Sequence, residues 1–275
     1  MTHRSRLRAL VLAVWPIILI LAIAWVARYL RVREFGLYED DLTIIPRAVT
    51  MSGSDLVNHV FTYIVRLYGH GRPLSDSLIY VGSWLGWRLG GLTGIYVLGF
   101  AFFGLNCILV FLLARRVAGQ QVALLSGLAF AVFPADTTQA FLTHSLGLQP
   151  ALTLALLALH AYLSNRVWLS WLLAALVLFT YETPFGVIAA GPLLAPGPWD
   201  RARARRWLLH GVVMAVVLVS VLGVRVAISD DRVTGIPFPW IVLTPLERML
   251  QGPPVSLGLF GLRAFSAAYI DTAAG

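Results

Sequence analysis

The sequence predicts an all-α polytopic membrane protein, a bundle of about seven spans with two juxtamembrane helices in its first outer loop. Three observations carry this. Of 275 residues, 59% are hydrophobic and 12% charged, and the mean hydropathy of +0.79 lies far above that of a soluble domain. The apolar residues fall in separate runs, most of them long enough to cross a hydrocarbon core. The lysine- and arginine-type charge is all arginine and stands in short clusters between those runs, which fits a loop-orientation signal better than a nucleic-acid surface despite the net charge of +8. Cys107 is the single cysteine and lies inside an apolar run, so neither a disulfide framework nor a cysteine-rich metal site is available.

The first span is read from Ala9 to Ala27, behind Arg4, Arg6 and Arg8, which places the N-terminus on the cytoplasmic side. Ala27-Arg28-Tyr29 is a poor cleavage site, so the run is a retained span and not a signal peptide. Residues 31–91 form an ordered outer loop. Ser52 and Ser54 are N-cap candidates for a helix carrying Val57, Val60, Phe61, Ile64 and Tyr68; a second helix follows Pro73 through Trp84 and Trp87 until Gly90-Gly91 stops it. Leu92–Ala114 is the second span, Gln121–Phe133 a short third, and Leu146–Leu163 the fourth. Val167–Pro196 is interrupted at Thr180-Tyr181-Glu182-Thr183-Pro184 and has arginines beyond both ends. It reads as a hairpin of two short spans with Glu182 at the outer turn. Trp207–Ile228 is the seventh. Residues 230–275 are proline-rich and extracytoplasmic, the expected start of a C-terminal part that this chain lacks.

The stretch with most chemical promise is Glu39-Asp40-Asp41, directly after the first span. Three consecutive carboxylates beside a membrane are costly unless they face water. Adjacent carboxylates disfavour one another's charge, which suits a proton acceptor; Asp40 is the first choice, with Asp41 or Glu39 orienting an acceptor or binding a divalent ion such as Mg or Mn. A solvated acidic turn matching Arg31 and Arg33 is the plainer alternative. Arg72, between Gly71 and Pro73, suits bidentate phosphate binding or a lipid headgroup anchor; Arg225, one turn inside the outer end of the last span, suits the same phosphate or snorkels to the surface. Glu182, beside Tyr181, is either a ligand to a substrate or an arginine or a turn cap, and His70 adjoins Arg72 as a further candidate. His144, Asp136 and Gln139 share the third outer loop, while His160 and His210 read as interhelical hydrogen-bonders.

Glu39-Asp40-Asp41 after the first span, and Gly71-Arg72-Pro73-Leu74 with Ser75-Asp76, resemble elements of the GT-C glycosyltransferases, the second being similar to the element found in bacterial O-antigen glucosyltransferases of the phage-conversion type. The resemblance covers residues 1–229. It implies an inverting transfer of a sugar from a polyprenyl phosphate to a glycan, lipid or protein hydroxyl on the extracytoplasmic face of a bacterial inner membrane, with Asp40, Asp41 and Glu39 as catalytic carboxylates and Arg72, Glu182, Arg225, His70 and Tyr181 as substrate ligands. A transporter or lipid flippase built around the broken hairpin, or a non-catalytic scaffold subunit, are the readings from other classes.

Overall fold

The computed structural model describes residues 3–66, 71–133 and 141–230, with positions 247, 251 and 258. The readings for His70, Asp136, Gln139 and the proline-rich segment after residue 230 fall outside them. Among the described residues every regular element is helical. In chain order these are α1 (His3–Arg28), a 3-10 turn (Val32–Glu34), α2 (Asp41–Thr50), α3 (Gly53–Arg66), α4 (Pro73–Ala118), α5 (Gln120–Val132), α6 (Leu142–Leu163), α7 (Val167–Thr180), α8 (Phe185–Ile188), α9 (Gly191–Leu194) and α10 (Arg201–Ala227).

Four of these segments, in α1, α4, α6 and α10, are long and apolar enough to cross a membrane. The sequence led us to expect about seven. α5 has 13 residues and α7 has 14, so at 1.5 Å per residue each reaches only about 20 Å, against about 30 Å of hydrocarbon. α8 and α9 are single turns of 4 residues each. Apolar composition marks all of these as buried or lipid-facing, but length separates them from full spans.

The 46 residues of α4 are two helices meeting at a corner. Gly90 is extended (φ −177°) and Gly91 adopts φ 61°, ψ −145°, a conformation essentially restricted to glycine. The chain folds back so closely that a Cβ on Gly94 would lie 2.2 Å from the Gly86 carbonyl oxygen, and one on Gly86 would lie 2.6 Å from the Ile95 Cα. The limb before the corner is the expected tryptophan-bearing helix and the limb after it the expected span. In front of them stands α2, over residues expected to be loop, so the segment after α1 holds three short helices rather than two. Pro46 inside α2 and the preceding acidic cluster disguised it. α3 begins as expected: Ser52 Oγ accepts the Asp55 N–H at 3.1 Å and donates to its Oδ2 at 2.7 Å. Its outward stripe of Val57, Phe61 and Ile64 stays exposed, as suits a helix at a membrane surface.

The core forms where α1, α4, α5 and α6 meet. Trp25, Tyr29, Phe35, Tyr96, Phe100 and Phe103 pack ring against ring, and the Tyr96 hydroxyl donates to the Gly36 carbonyl at 2.6 Å, pinning the chain just before the acidic cluster. Deeper in, Asn106 Nδ2 donates to the Gln149 carbonyl (3.0 Å) and to its Oε1 (2.7 Å), while Thr153 donates to Asn106 Oδ1 at 2.7 Å. Away from water such a network stays because each member satisfies another. Both histidines assigned to helix contacts make them. His160 Nε2 lies 3.1 Å from the Leu109 carbonyl. His210 Nδ1 accepts from Trp171 Nε1, which leaves its Nε2 to donate to the Ile188 carbonyl. α10 begins at Arg201, six residues before the expected start at Trp207, because Asp200 caps it: its Oδ1 accepts the Arg203 N–H at 2.7 Å.

Candidate functional site

The three carboxylates of the acidic cluster part company. Glu39 is exposed with a left-handed backbone (φ 49°), which turns the chain into α2. Asp40 follows at the N-cap of α2 with its side chain exposed and making no capping bond; its carbonyl accepts the Thr43 and Ile44 N–H groups. Asp41 is 0% exposed, and its oxygens accept the Leu142 N–H at 2.9 Å and the Thr143 N–H at 2.8 Å. It therefore caps α6 across about a hundred residues of chain, meeting the partial positive charge of that helix N-terminus. Both its oxygens are taken by backbone donors, a position unlike that of a proton acceptor open to substrate. Among the described residues no group of three or more His, Cys, Asp or Glu side chains converges as a metal-binding set, so the divalent ion suggested by the triplet has no ligand cage there.

Four of the expected substrate ligands do converge. Arg72 precedes Pro73, the first residue of α4, and its guanidinium grips Glu182 with two nitrogens: Nε donates to Oε2 at 2.9 Å and Nη2 to Oε1. The face of that guanidinium lies 4.0 Å from the centroid of the Tyr181 ring, on the residue that ends α7. Arg225 reaches inward from the last turn of α10. Its Nη2 donates to the Leu178 carbonyl at 2.8 Å and meets Glu182 Oε2 at 3.4 Å, while its Nε is buried with no hydrogen-bond partner. The snorkelling alternative is thereby corrected: Arg225 is among the buried residues, held by a carboxylate that the open turn of Thr180–Pro184 presents to it.

Gly71 makes this approach feasible. It adopts φ +72°, and a Cβ there would fall 2.7 Å from Arg225 Cγ and 2.9 Å from its Nε. Burial alone would raise the Glu182 carboxyl, but the Arg72 hydrogen bonds and charge, with the charge of Arg225, outweigh it and hold the group below the usual carboxylate range. Two guanidinium groups thus share one carboxylate, and the cluster keeps one surplus positive charge. The first turns of α6 tie this cluster to the acidic corner: Asp41 caps the helix at Leu142, and Ser75 and Ile79, just past Arg72, pack on Gly147.

A further group escaped the sequence reading. The His59 ring packs at a tilt against Tyr63 and Tyr80, with centroids 4.4 Å and 4.1 Å apart, joining α3 to the first limb of α4, and its Nε2 is buried without a partner. Burial and the nearby charge of Arg47 push His59 below its ordinary value. The spacing of His59 and Tyr63, one helical turn apart, was the available signal. His144 stands in the first turn of α6, with its ring 5.2 Å from Phe141, and not in a loop.

No protein-family model, curated protein or solved structure matches the chain. The likeness to GT-C enzymes rests on the residues quoted above.

Proposed function

We propose that the chain is an integral-membrane glycosyltransferase that moves a sugar from a polyprenyl phosphate to an acceptor hydroxyl with inversion. The observation that supports this best is the convergence of Arg72, Tyr181, Glu182 and Arg225: a half-buried site with surplus positive charge suits the phosphate of a lipid-linked donor. Asp40 is exposed at the acidic corner and opens α2. It takes the acceptor proton as the acceptor oxygen bonds to the anomeric carbon, and the bond from that carbon to the phosphate oxygen breaks, leaving polyprenyl phosphate against the two guanidinium groups. Glu39 flanks it as an acceptor contact, and Asp41 acts by holding the corner on α6. In this reading the shorter segments α5, α7 and α8–α9 complete about seven crossings by local thinning of the bilayer, with the N-terminus cytoplasmic and the site outside.

The broken pair α8–α9 also fits a transporter, in which discontinuous helices line a substrate path. Purified chain incubated with a radiolabelled polyprenyl-phosphate hexose and an envelope glycan separates the two. A transferase releases polyprenyl phosphate, and Asp40→Asn stops release without lowering the melting temperature. Turnover of Asp40→Asn at the wild-type rate removes the base assignment, and absence of release from wild-type chain across hexose donors removes the transferase reading.

A further inference from the structure

The opposite end of the bundle carries a second basic site. Arg203 and Arg225 stand on the same helix about 33 Å apart, so the two regions are separated by roughly the thickness of a hydrocarbon core. A cavity of about 290 Å³ opens between the end of α6, the α6–α7 connection, the segment following α9 and the first turns of α10. Its lining includes Tyr162, Asn165, Pro196, Arg203 and Arg206, and no carboxylate.

Arg203 is 6% exposed. Its outer nitrogens are committed to backbone: Nη1 donates to the Gly197 carbonyl at 2.5 Å, and Nη2 to those of Ala195 (2.5 Å), Pro192 (3.1 Å) and Leu193 (3.1 Å). The indole of Trp199 covers one face of the guanidinium, 4.4 Å from the ring centroid. Nε is buried and has no hydrogen-bond partner. The nearest acidic group along the chain, Asp200, spends Oδ1 on the Arg203 backbone N–H and caps the helix. A cation in this state keeps its full charge with only carbonyl dipoles around it, and burial of an unmatched charge is costly. Arg206, one turn further on and exposed, adds a second positive charge to the same cavity wall.

We propose that this cavity binds a phosphate group with net negative charge, of the kind an anionic phospholipid headgroup presents. The surroundings fit a lipid source: Trp168, Trp199 and Trp207 are exposed around the same end, where indoles favour headgroup depth, and Leu193 and Leu208 are exposed beside them. Arg203 supplies the buried donor, Arg206 closes on the phosphate from the rim, and the Tyr162 hydroxyl and Asn165 amide add neutral donors. Inorganic phosphate shares this chemistry and reaches the site from water.

The test uses the 275-residue chain in maltoside detergent, with melting followed by tryptophan fluorescence while phosphatidylglycerol, phosphatidylcholine or inorganic phosphate is titrated. Arg206→Gln is compared with Arg205→Gln, which removes an equal charge from a residue outside the cavity lining; both side chains are exposed, so both variants are expected to fold. Phosphatidylglycerol should raise the melting temperature of wild-type and Arg205→Gln alike and phosphatidylcholine should raise it less, while Arg206→Gln needs about tenfold more phosphatidylglycerol for half the shift, the loss of one charge-assisted contact. If millimolar inorganic phosphate reproduces the shift with the same dependence on Arg206, the site is confirmed with a soluble source; if it does not, the headgroup is the source. Equal stabilisation by both lipids, or equal responses of the two variants, overturns the proposal.

Discussion

The grip of Arg72 on Glu182 can be measured with a double-mutant cycle, Arg72→Met and Glu182→Gln singly and together. Breaking a fully buried ion pair costs about 3–5 kcal/mol, and exposed pairs are worth about 0.2–1 kcal/mol. Here the Arg72 side chain is 14% exposed and that of Glu182 40%, so solvent screens the carboxylate side substantially. The geometry is bidentate, which favours the upper part of the discounted range, and a coupling of about 1.5 kcal/mol is expected, near a tenfold change in the folding equilibrium. Arg225 also meets Glu182, at 3.4 Å, and because Arg225 is present in all four chains the cycle isolates the coupling of Arg72 to Glu182. Equilibrium unfolding in mixed maltoside and dodecyl sulfate micelles, read by tryptophan fluorescence, supplies the four free energies. Because the folded Glu182 carboxyl lies below its ordinary 4.5, its contribution is complete above that pH and fades as pH falls through the lower folded value. A coupling within about 0.3 kcal/mol of zero at neutral pH, inside the additivity error of independent sites, would refute the reasoning.

Asp41→Asn should destabilise by about 1–2 kcal/mol, since an amide nitrogen then faces one of the two N–H groups at the start of α6; hydrogen exchange at Leu142 and Thr143 should speed up, and unchanged protection there would contradict the capping role. Gly71→Ala forces a left-handed residue and drives a methyl group into Arg225, costing about 2 kcal/mol or more; Arg225→Ala in the same chain should relieve part of that loss, and strictly additive effects would count against the contact. Gly94→Ala places a Cβ against the Gly86 carbonyl and should open the corner of α4, seen as increased cysteine-labelling distances between probes at Leu85 and Val97; unchanged distances would show that the corner tolerates a side chain.

Much of the helical content was legible because apolar runs, arginine clusters and caps mark it directly. Ser52 signalled α3, and Gly90-Gly91 signalled the corner of α4. The span count was less legible: the shortness of α5 and α7 shows in the sequence, set there by Gly119, Phe133, Arg166 and Tyr181, while four segments alone are long and apolar enough to cross unaided. At the candidate site, Arg72, Tyr181, Glu182 and Arg225 could be picked as polar residues where polarity is expensive. Their mutual pairing could not, because it joins Glu182 to Arg72 across 110 residues and to Arg225 across 43, through the packing of α4, α7 and α10. Asp41 shows the opposite limit. Next to Asp40 in sequence it reads as the same chemistry, yet a half-turn of chain sends one carboxylate to solvent and the other under α6.

Arg28 ends α1 with its Nε donating to the Ala131 carbonyl at 2.8 Å, its Nη2 to that of Phe133, and its guanidinium 5.1 Å from the centre of the Phe103 ring. Those acceptors are synthesised more than a hundred residues after it. During biogenesis, then, the final seating of the leading helix is completed only when the close of α5 arrives to meet the Arg28 side chain.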